Sequence, residues 1–396
     1  MESYRAVARS RGDNNWSGYS CGSDAREVTT VAQEDFLPLM GIDHVEYYVG
    51  NARQAAYYYS KALGFHVTAY AGPETKQRDR SSWVVEQGEI RYVFTGAMGP
   101  ESPLAKHVFE HGDGVHDVAL QVPDAADAWE QATKRGAESA LEPTVTEDEN
   151  GKVVRASIKA YGETLHSFIE RENYSGPFMP GYRAEEPYPD DGPPVGLKVI
   201  DHVVANVKLG QMNEMVEFYA KILGFAQLVH FRDDQISTEY TALMSKVMWD
   251  GKGRVKFPIN EPAEGKKKSQ IEEYLDFYRS PGVQHIAMAT DDIVGAVDAL
   301  RSRGMRFIQV PATYYKALGE RVGEIEEDYS DIERLGILAD RDDEGYLLQI
   351  FTKIVEDRPT VFYEVIERHG SQGFGLGNFK ELFVAIEREQ AERGNL

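Results

Sequence analysis

Cysteine is nearly absent: Cys21 is the only one in 396 residues. That excludes an internal disulfide framework and a metal site built on thiolates. Long hydrophobic runs are missing too, with no stretch of about 18 apolar residues that would span a bilayer. The first 38 residues are polar, rich in Ser, Asp and Arg, and carry no apolar core of an export signal. Positive charge is scarce, 43 Lys and Arg against 65 Asp and Glu, for a net charge of -22. A field of that sign repels nucleic acid and anionic membranes, so neither is expected as a partner. A cytoplasmic protein fits these absences. What is present is 42% hydrophobic residues, enough in a chain of this length for two or three ordinary domains.

The chain repeats itself, and the repeat is its most informative property. Ile42-Asp43-His44-Val45, followed by a helix over 51–63 and Gly64-Phe65, returns as Ile200-Asp201-His202-Val203, a helix and Gly224-Phe225. Gly114-Val115-His116-Asp117 returns as Gly282-Val283-Gln284-His285, and Ser167-Phe168-Ile169-Glu170-Arg171 as Glu364-Val365-Ile366-Glu367-Arg368. Each half holds two units of strand, helix and several strands. The expected fold is α+β, with four βαβββ modules paired into two half-open barrel domains. The boundaries predicted are a flexible tail over 1–38, an N-terminal domain over 39–173, a proline-rich linker over 174–198 and a C-terminal domain over 199–396. In the second half, strands are expected at 225–231, 237–248 and 255–259, and a helix over 266–278. The last helix, starting at Asn378 with Phe379, Leu382, Phe383 and Ile386 on one face, is read as a lid.

Superposed, the repeats mark three positions per half: His44, Asp117 and Ser167, then His202, His285 and Glu364. Glu364 sits among Phe362, Tyr363, Val365 and Ile366, where an unpaired carboxylate would be costly to bury. A strand histidine alone is ordinarily a packing or hydrogen-bonding residue; two at repeat-equivalent strand starts, in frame with such a carboxylate, are a different matter. Two imidazoles and one carboxylate form the facial set preferred by non-haem Fe(II), leaving open positions for a bidentate substrate and O2. His230 and His369 lack this support and read as structural. Ser167 is a poor ligand, so the first half is expected to hold no iron, with His44 and Asp117 serving packing or hydrogen bonding. The glycine turn 373–377 does not make a dinucleotide loop, because Asn378 stands where the third glycine is required.

Asp201-His202-Val203, Lys256-Phe257-Pro258-Ile259-Asn260, Lys268-Ser269-Gln270-Ile271, Val283-Gln284-His285, Gln349-Ile350-Phe351 and Phe374-Gly375-Leu376-Gly377-Asn378-Phe379 carry a resemblance. Over residues 40–396 the chain resembles the 4-hydroxyphenylpyruvate dioxygenase family of the vicinal oxygen chelate (glyoxalase-like) superfamily. The resemblance implies an Fe(2+) enzyme holding its metal through His202, His285 and Glu364. It also implies conversion of 4-hydroxyphenylpyruvate and O2 to homogentisate and CO2, by oxidative decarboxylation, ring hydroxylation and side-chain migration, as in tyrosine and phenylalanine catabolism. Under it, Gln284 and Gln349 line the iron pocket, and Ser245, Asn260 and Gln270 orient the substrate. Phe351 and Phe374 clamp the ring, and Asn378 joins the substrate set. A homodimer or homotetramer is implied, with the first half as the contact surface. Leu376 departs from the family pattern, where a charged residue is more usual, and the 38-residue tail is longer than expected. Two other readings stand beside this one: a 4-hydroxymandelate synthase, hydroxylating the benzylic carbon of the same substrate, and a non-catalytic binding protein of the same fold.

Overall fold

In the computed structural model, residues 35–189, 192–231, 242–263 and 265–395 are described. The readings for 1–34, Cys21 among them, for 237–241 and for the side chain of His230 lie outside the described residues.

Strand β1 (Gly41–Tyr48) leads into α1 (Ala52–Leu63), whose ends are set locally. Asn51 Oδ1 accepts from the Gln54 amide at the start, and Gly64 turns left-handed at φ 75° to stop it. The first half continues through β2 (His66–Ala71), β3 (Arg80–Gln87), β4 (Ile90–Ala97), α2 (Pro103–His111), β5 (Gly114–Gln121), α3 (Ala125–Lys134), β6 (Ser139–Asp148), β7 (Gly151–Lys159) and β8 (Leu165–Glu170). After the two-residue β9 (Arg183–Ala184), the pattern restarts with β10 (Leu197–Asn206), α4 (Met212–Leu223), β11 (Ala226–Phe231), β12 (Ala242–Trp249) and β13 (Lys256–Ala263). It closes with α5 (Gln270–Tyr278), β14 (Gly282–Thr290), α6 (Ile293–Ser302), three short helices α7 (Thr313–Lys316), α8 (Leu318–Val322) and α9 (Tyr329–Leu335), then β15 (Leu338–Arg341), β16 (Tyr346–Phe351), β17 (Phe362–His369) and α10 (Phe379–Glu392).

These strands make two sheets of one plan, β6-β7-β8-β5-β1-β4-β3-β2-β9 and β11-β12-β13-β10-β14-β17-β16-β15. At the middle of each, the first strands of two modules pair antiparallel, β1 with β5 and β10 with β14. Each first strand then pairs in parallel with the last of its own module, as β14 does with β17. The result is four βαβββ modules in two curled half-barrels. The helices cover the sheets with their apolar stripes: α4 buries Met212, Met215, Tyr219, Ile222 and Leu223. The largest apolar cluster draws on both halves, from Leu37 to Ile386.

Three boundaries differ from the sequence reading. The tail ends earlier, because Leu37 and Leu39 are buried in that cluster. The proline-rich 174–198 stretch is not a loose linker: Phe178 is buried, packing edge-on against the His44 ring, β9 pairs with β2, and β10 already begins at Leu197. Prolines interrupt its periodicity, but its apolar anchors hold it to the sheet. Helix α5 begins at Gln270 rather than 266, because Ser269 and Glu272 cap it reciprocally and leave the lysines 266–268 outside.

Candidate functional site

The central strand pair of the second sheet delivers the two histidines. His202 lies on β10 and His285 on β14, offset by one register step, since His202 pairs with Ala287 and His285 with Val204. Glu364 on β17 sits opposite Ala287 on the other side of β14. All three side chains leave the same face of the sheet, and the Glu364 carboxylate comes 3.1 Å from His202 Nε2 and 3.5 Å from His285 Nε2.

The far nitrogen of each imidazole is pinned. His202 Nδ1–H donates to Asp201 at 2.7 Å, and His285 Nδ1–H donates to Gln284 Oε1 at 2.9 Å. Each proton is thereby committed to Nδ1, and each Nε2 lone pair faces the carboxylate. Asp201 is itself fixed by Arg368, through two bonds of 2.8 Å, and by Lys256 at 3.1 Å. Burial works against its charge, but the bonds to His202 and Arg368 prevail and hold its carboxyl well below the usual range. Burial likewise opposes ionisation of Glu364, and the facing imidazoles, His202 foremost, bring it down to about 2. Three lone-pair donors therefore converge on one buried point, and no Lys or Arg is among the described residues lining the surrounding cavity.

That cavity is about 600 Å³ including its mouth, within the range of small-molecule sites. Of the residues singled out from the sequence, His202, His285, Glu364, Ser245, Asn260, Gln270, Gln284, Phe351 and Phe374 line it. Ser245 and Asn260 are direct cross-strand neighbours on β12 and β13. Phe374 stands edge-on to His202 at 5.1 Å, and Phe351 edge-on to His285 at 5.9 Å. Phe379, Leu382, Phe383 and Ile386 of α10 supply the opposing wall.

Two predicted residues are elsewhere. Gln349 shares its strand face with Phe351, but the 373–377 turn covers it: Gly375 is left-handed at φ 72°, and a Cβ there would fall 2.2 Å from Gln349 Nε2. Asn378 is fully buried, its Oδ1 accepting from the Tyr314 hydroxyl at 2.7 Å and from Arg321 at 3.2 Å. It fastens the start of α10 to α7 and α8 instead of facing the cavity. Sequence reasoning missed the support around Asp201, Arg368 and Lys256, although the Asp-His pair at the head of both repeats was its visible signal. It also missed Phe362, stacked on His285 at 4.8 Å, and the apolar wall of Leu243, Val247 and Pro258.

Known proteins agree with this architecture. The family model of the Glyoxalase/Bleomycin resistance protein/Dioxygenase superfamily matches residues 41–160 and 199–350. A 4-hydroxyphenylpyruvate dioxygenase of Dictyostelium discoideum is 49% identical over 90% of this chain and all of its own, and one of Aspergillus fumigatus is 48% identical over 90% of this chain and 94% of its own. Among solved structures, a triple mutant of 4-hydroxymandelate synthase from Streptomyces coelicolor superposes with a TM-score of 0.79 at 32% identity, over 89% of this chain and all of its own. A metal ion is implied by this kinship, and the candidate His and Glu groups agree with it. On this sequence similarity, carried across nearly the full length of both relatives, the chain belongs to the 4-hydroxyphenylpyruvate dioxygenase family.

Proposed function

We propose that the chain is an Fe(II)-dependent dioxygenase that converts 4-hydroxyphenylpyruvate and O2 to homogentisate and CO2, with His202, His285 and Glu364 as the metal ligands. The observation that carries the reading is the convergence of two tautomer-fixed imidazoles and a buried carboxylate at one wall of an aromatic-lined cavity. The donor set suits the ion: two neutral nitrogens and one anionic oxygen on one side are the set used by non-haem ferrous sites. When bound, ferrous iron supplies chelation of the 2-oxo acid end of the substrate and activation of O2.

The chain's own residues do the rest. Asp201 and Gln284 keep the Nδ1 protons in place, so the Nε2 lone pairs stay available and the rings cannot turn. Phe351 and Phe374 flank the cavity beside the two histidines and present a flat apolar slot to the ring. Ser245, Asn260, Gln270 and Gln284 place a hydroxyl and three amides in the wall, the groups that hydrogen-bond a phenol and a keto acid. Holding the ring in one pose decides which carbon is oxidised. Phe379, Leu382, Phe383 and Ile386 exclude water from above.

The deciding experiment is an aerobic incubation of the iron-loaded protein with 4-hydroxyphenylpyruvate, with chromatography against standards and CO2 trapping. Homogentisate with stoichiometric CO2 supports the proposal. 4-Hydroxymandelate, an isomer that mass alone does not separate, replaces the ring-hydroxylating assignment with benzylic chemistry, and no product from protein shown to hold iron removes both.

A further inference from the structure

A second group of two histidines and a carboxylate lies in the first half, at positions the internal repeat does not relate to the first. His107 and His111 are one turn apart on α2, so they share a helix face. Glu163, in the turn between β7 and β8, reaches both with one oxygen: 2.7 Å from His107 Nδ1 and 3.3 Å from His111 Nε2. Both imidazoles are buried, at 6% and 4% exposure, while the Glu163 side chain is 57% exposed and opens the group to solvent.

The protonation pattern leaves a gap at its centre. His111 Nδ1 lies 2.5 Å from the Tyr278 carbonyl oxygen, an acceptor only, so its ring proton is on Nδ1. Its Nε2 lone pair therefore faces the lone pairs of the Glu163 carboxylate. Two acceptors at 3.3 Å repel unless a positive centre, a proton or a metal ion, lies between them. There is more unused nitrogen close by: His107 Nε2 and His116 Nδ1 are buried without hydrogen-bond partners among the described residues, and the two rings sit edge-on at 5.3 Å. The arrangement repeats the chemistry of the His202, His285 and Glu364 group, including a histidine whose outer nitrogen is fixed by an oxygen acceptor.

We propose that His107, His111 and Glu163 form a second divalent-cation site, selective for zinc-class ions. Two imidazoles and one carboxylate with an open, solvent-facing position make a three-ligand zinc set. Its place gives it a consequence. His111 ties α2 to the end of α5 through Tyr278, and the first residue of α5 is Gln270 in the cavity wall. Zinc here clamps the seam between the halves without entering the cavity.

The test uses the iron-loaded protein, exposed to Zn(II), desalted, and assayed for zinc and iron together, so that displacement of iron is told apart from additional binding. One zinc per chain above an unchanged iron content, with a raised thermal midpoint, is expected for the unmodified chain. Both effects vanish in Glu163→Ala, a solvent-exposed substitution in a turn, and in His107→Gln. Co(II) offers an independent readout: the intense visible bands of a four-coordinate site appear in the unmodified chain and not in Glu163→Ala. Zinc uptake that survives Glu163→Ala, or no zinc beyond what displaces iron, overturns the site and leaves a proton as the positive centre.

Discussion

The two halves use one frame for opposite ends, and the contrast sits in a few side chains. By strand register, Asp117 corresponds to His285, Ser167 to Glu364, and Arg155 to Gln349. In the first half Arg155 puts its guanidinium 3.0 Å from Asp117 and 3.2 Å from Ser167 Oγ, so a resident cation already fills the place where the second half gathers lone pairs. Around it the supporting apparatus is intact: His44 donates to Asp43 at 2.6 Å, and Asp43 meets Arg171 at 2.7 Å and Arg91 at 4.0 Å, as Asp201 meets Arg368 and Lys256. The shell that orients the histidine is thus present in the first half without the ligand set it serves in the second. A guanidinium offers permanent charge without exchangeable positions, which suits a scaffold and not a reaction centre.

Five substitutions sharpen or break this contrast. The largest effect is expected at Glu364→Ala, which should abolish turnover and tight metal binding, while Ser167→Ala at the matching position leaves both intact; metal content and steady-state rates of the pair check it. Arg155→Ala should cost stability and spare the metal, by about 1–3 kcal/mol in chemical denaturation, because it leaves a fully buried Asp117 with only its bonds from Ser167. Equal metal loss in that variant would break the division of labour. Asp201→Asn should weaken metal affinity by roughly 10–100-fold, measured by chelator competition, since it removes the charge that fixes His202. Its counterpart Asp43→Asn should leave metal affinity alone.

The smallest effect is expected at the seam. Burial first, then Asp113 and Asp357, push Glu356 up to about 7 from an ordinary 4.5. The folded state thus binds this proton more tightly than the unfolded chain, and stability falls as pH rises from about 4.5 through 7. Glu356→Gln should be more stable than the unmodified chain by about 1–3 kcal/mol at pH 8, with the advantage gone near pH 4.5. Thermal melts at the two pH values decide it.

The frame was legible because it is written twice: each helix stop, strand start and Asp-His pair confirms its copy, so modules and candidate ligands follow from alignment of the chain with itself. Features outside the repeat were not. Helices α7, α8 and α9 are only 4, 5 and 7 residues long, too short for an apolar period to register. Strand β6 is almost wholly exposed, so it lacks the alternation that betrays a strand. Gln349 and Asn378 were placed by resemblance, and their positions turn on how the 373–377 loop folds back, a tertiary matter no spacing encodes. Arg155 was passed over for a like reason, since a lone basic residue on a strand looks solvent-bound until its carboxylate partner is brought beneath it.

Tyr363 precedes Glu364 on β17 and, by the alternation of a strand, points to the other side of the sheet. There its hydroxyl meets those of Tyr59 at 2.6 Å and Tyr47 at 2.9 Å, both from the first half, in an interior closed to water. A shortened chain starting at Leu197 would open that face of β17 to water and expose the apolar ring of Tyr363, one residue from a candidate ligand. The copy with the arginine in its cradle is thus not vestigial baggage that truncation can shed. Through the tyrosine at 363, the strand that carries a candidate ligand in one copy is fastened to the interior of the other.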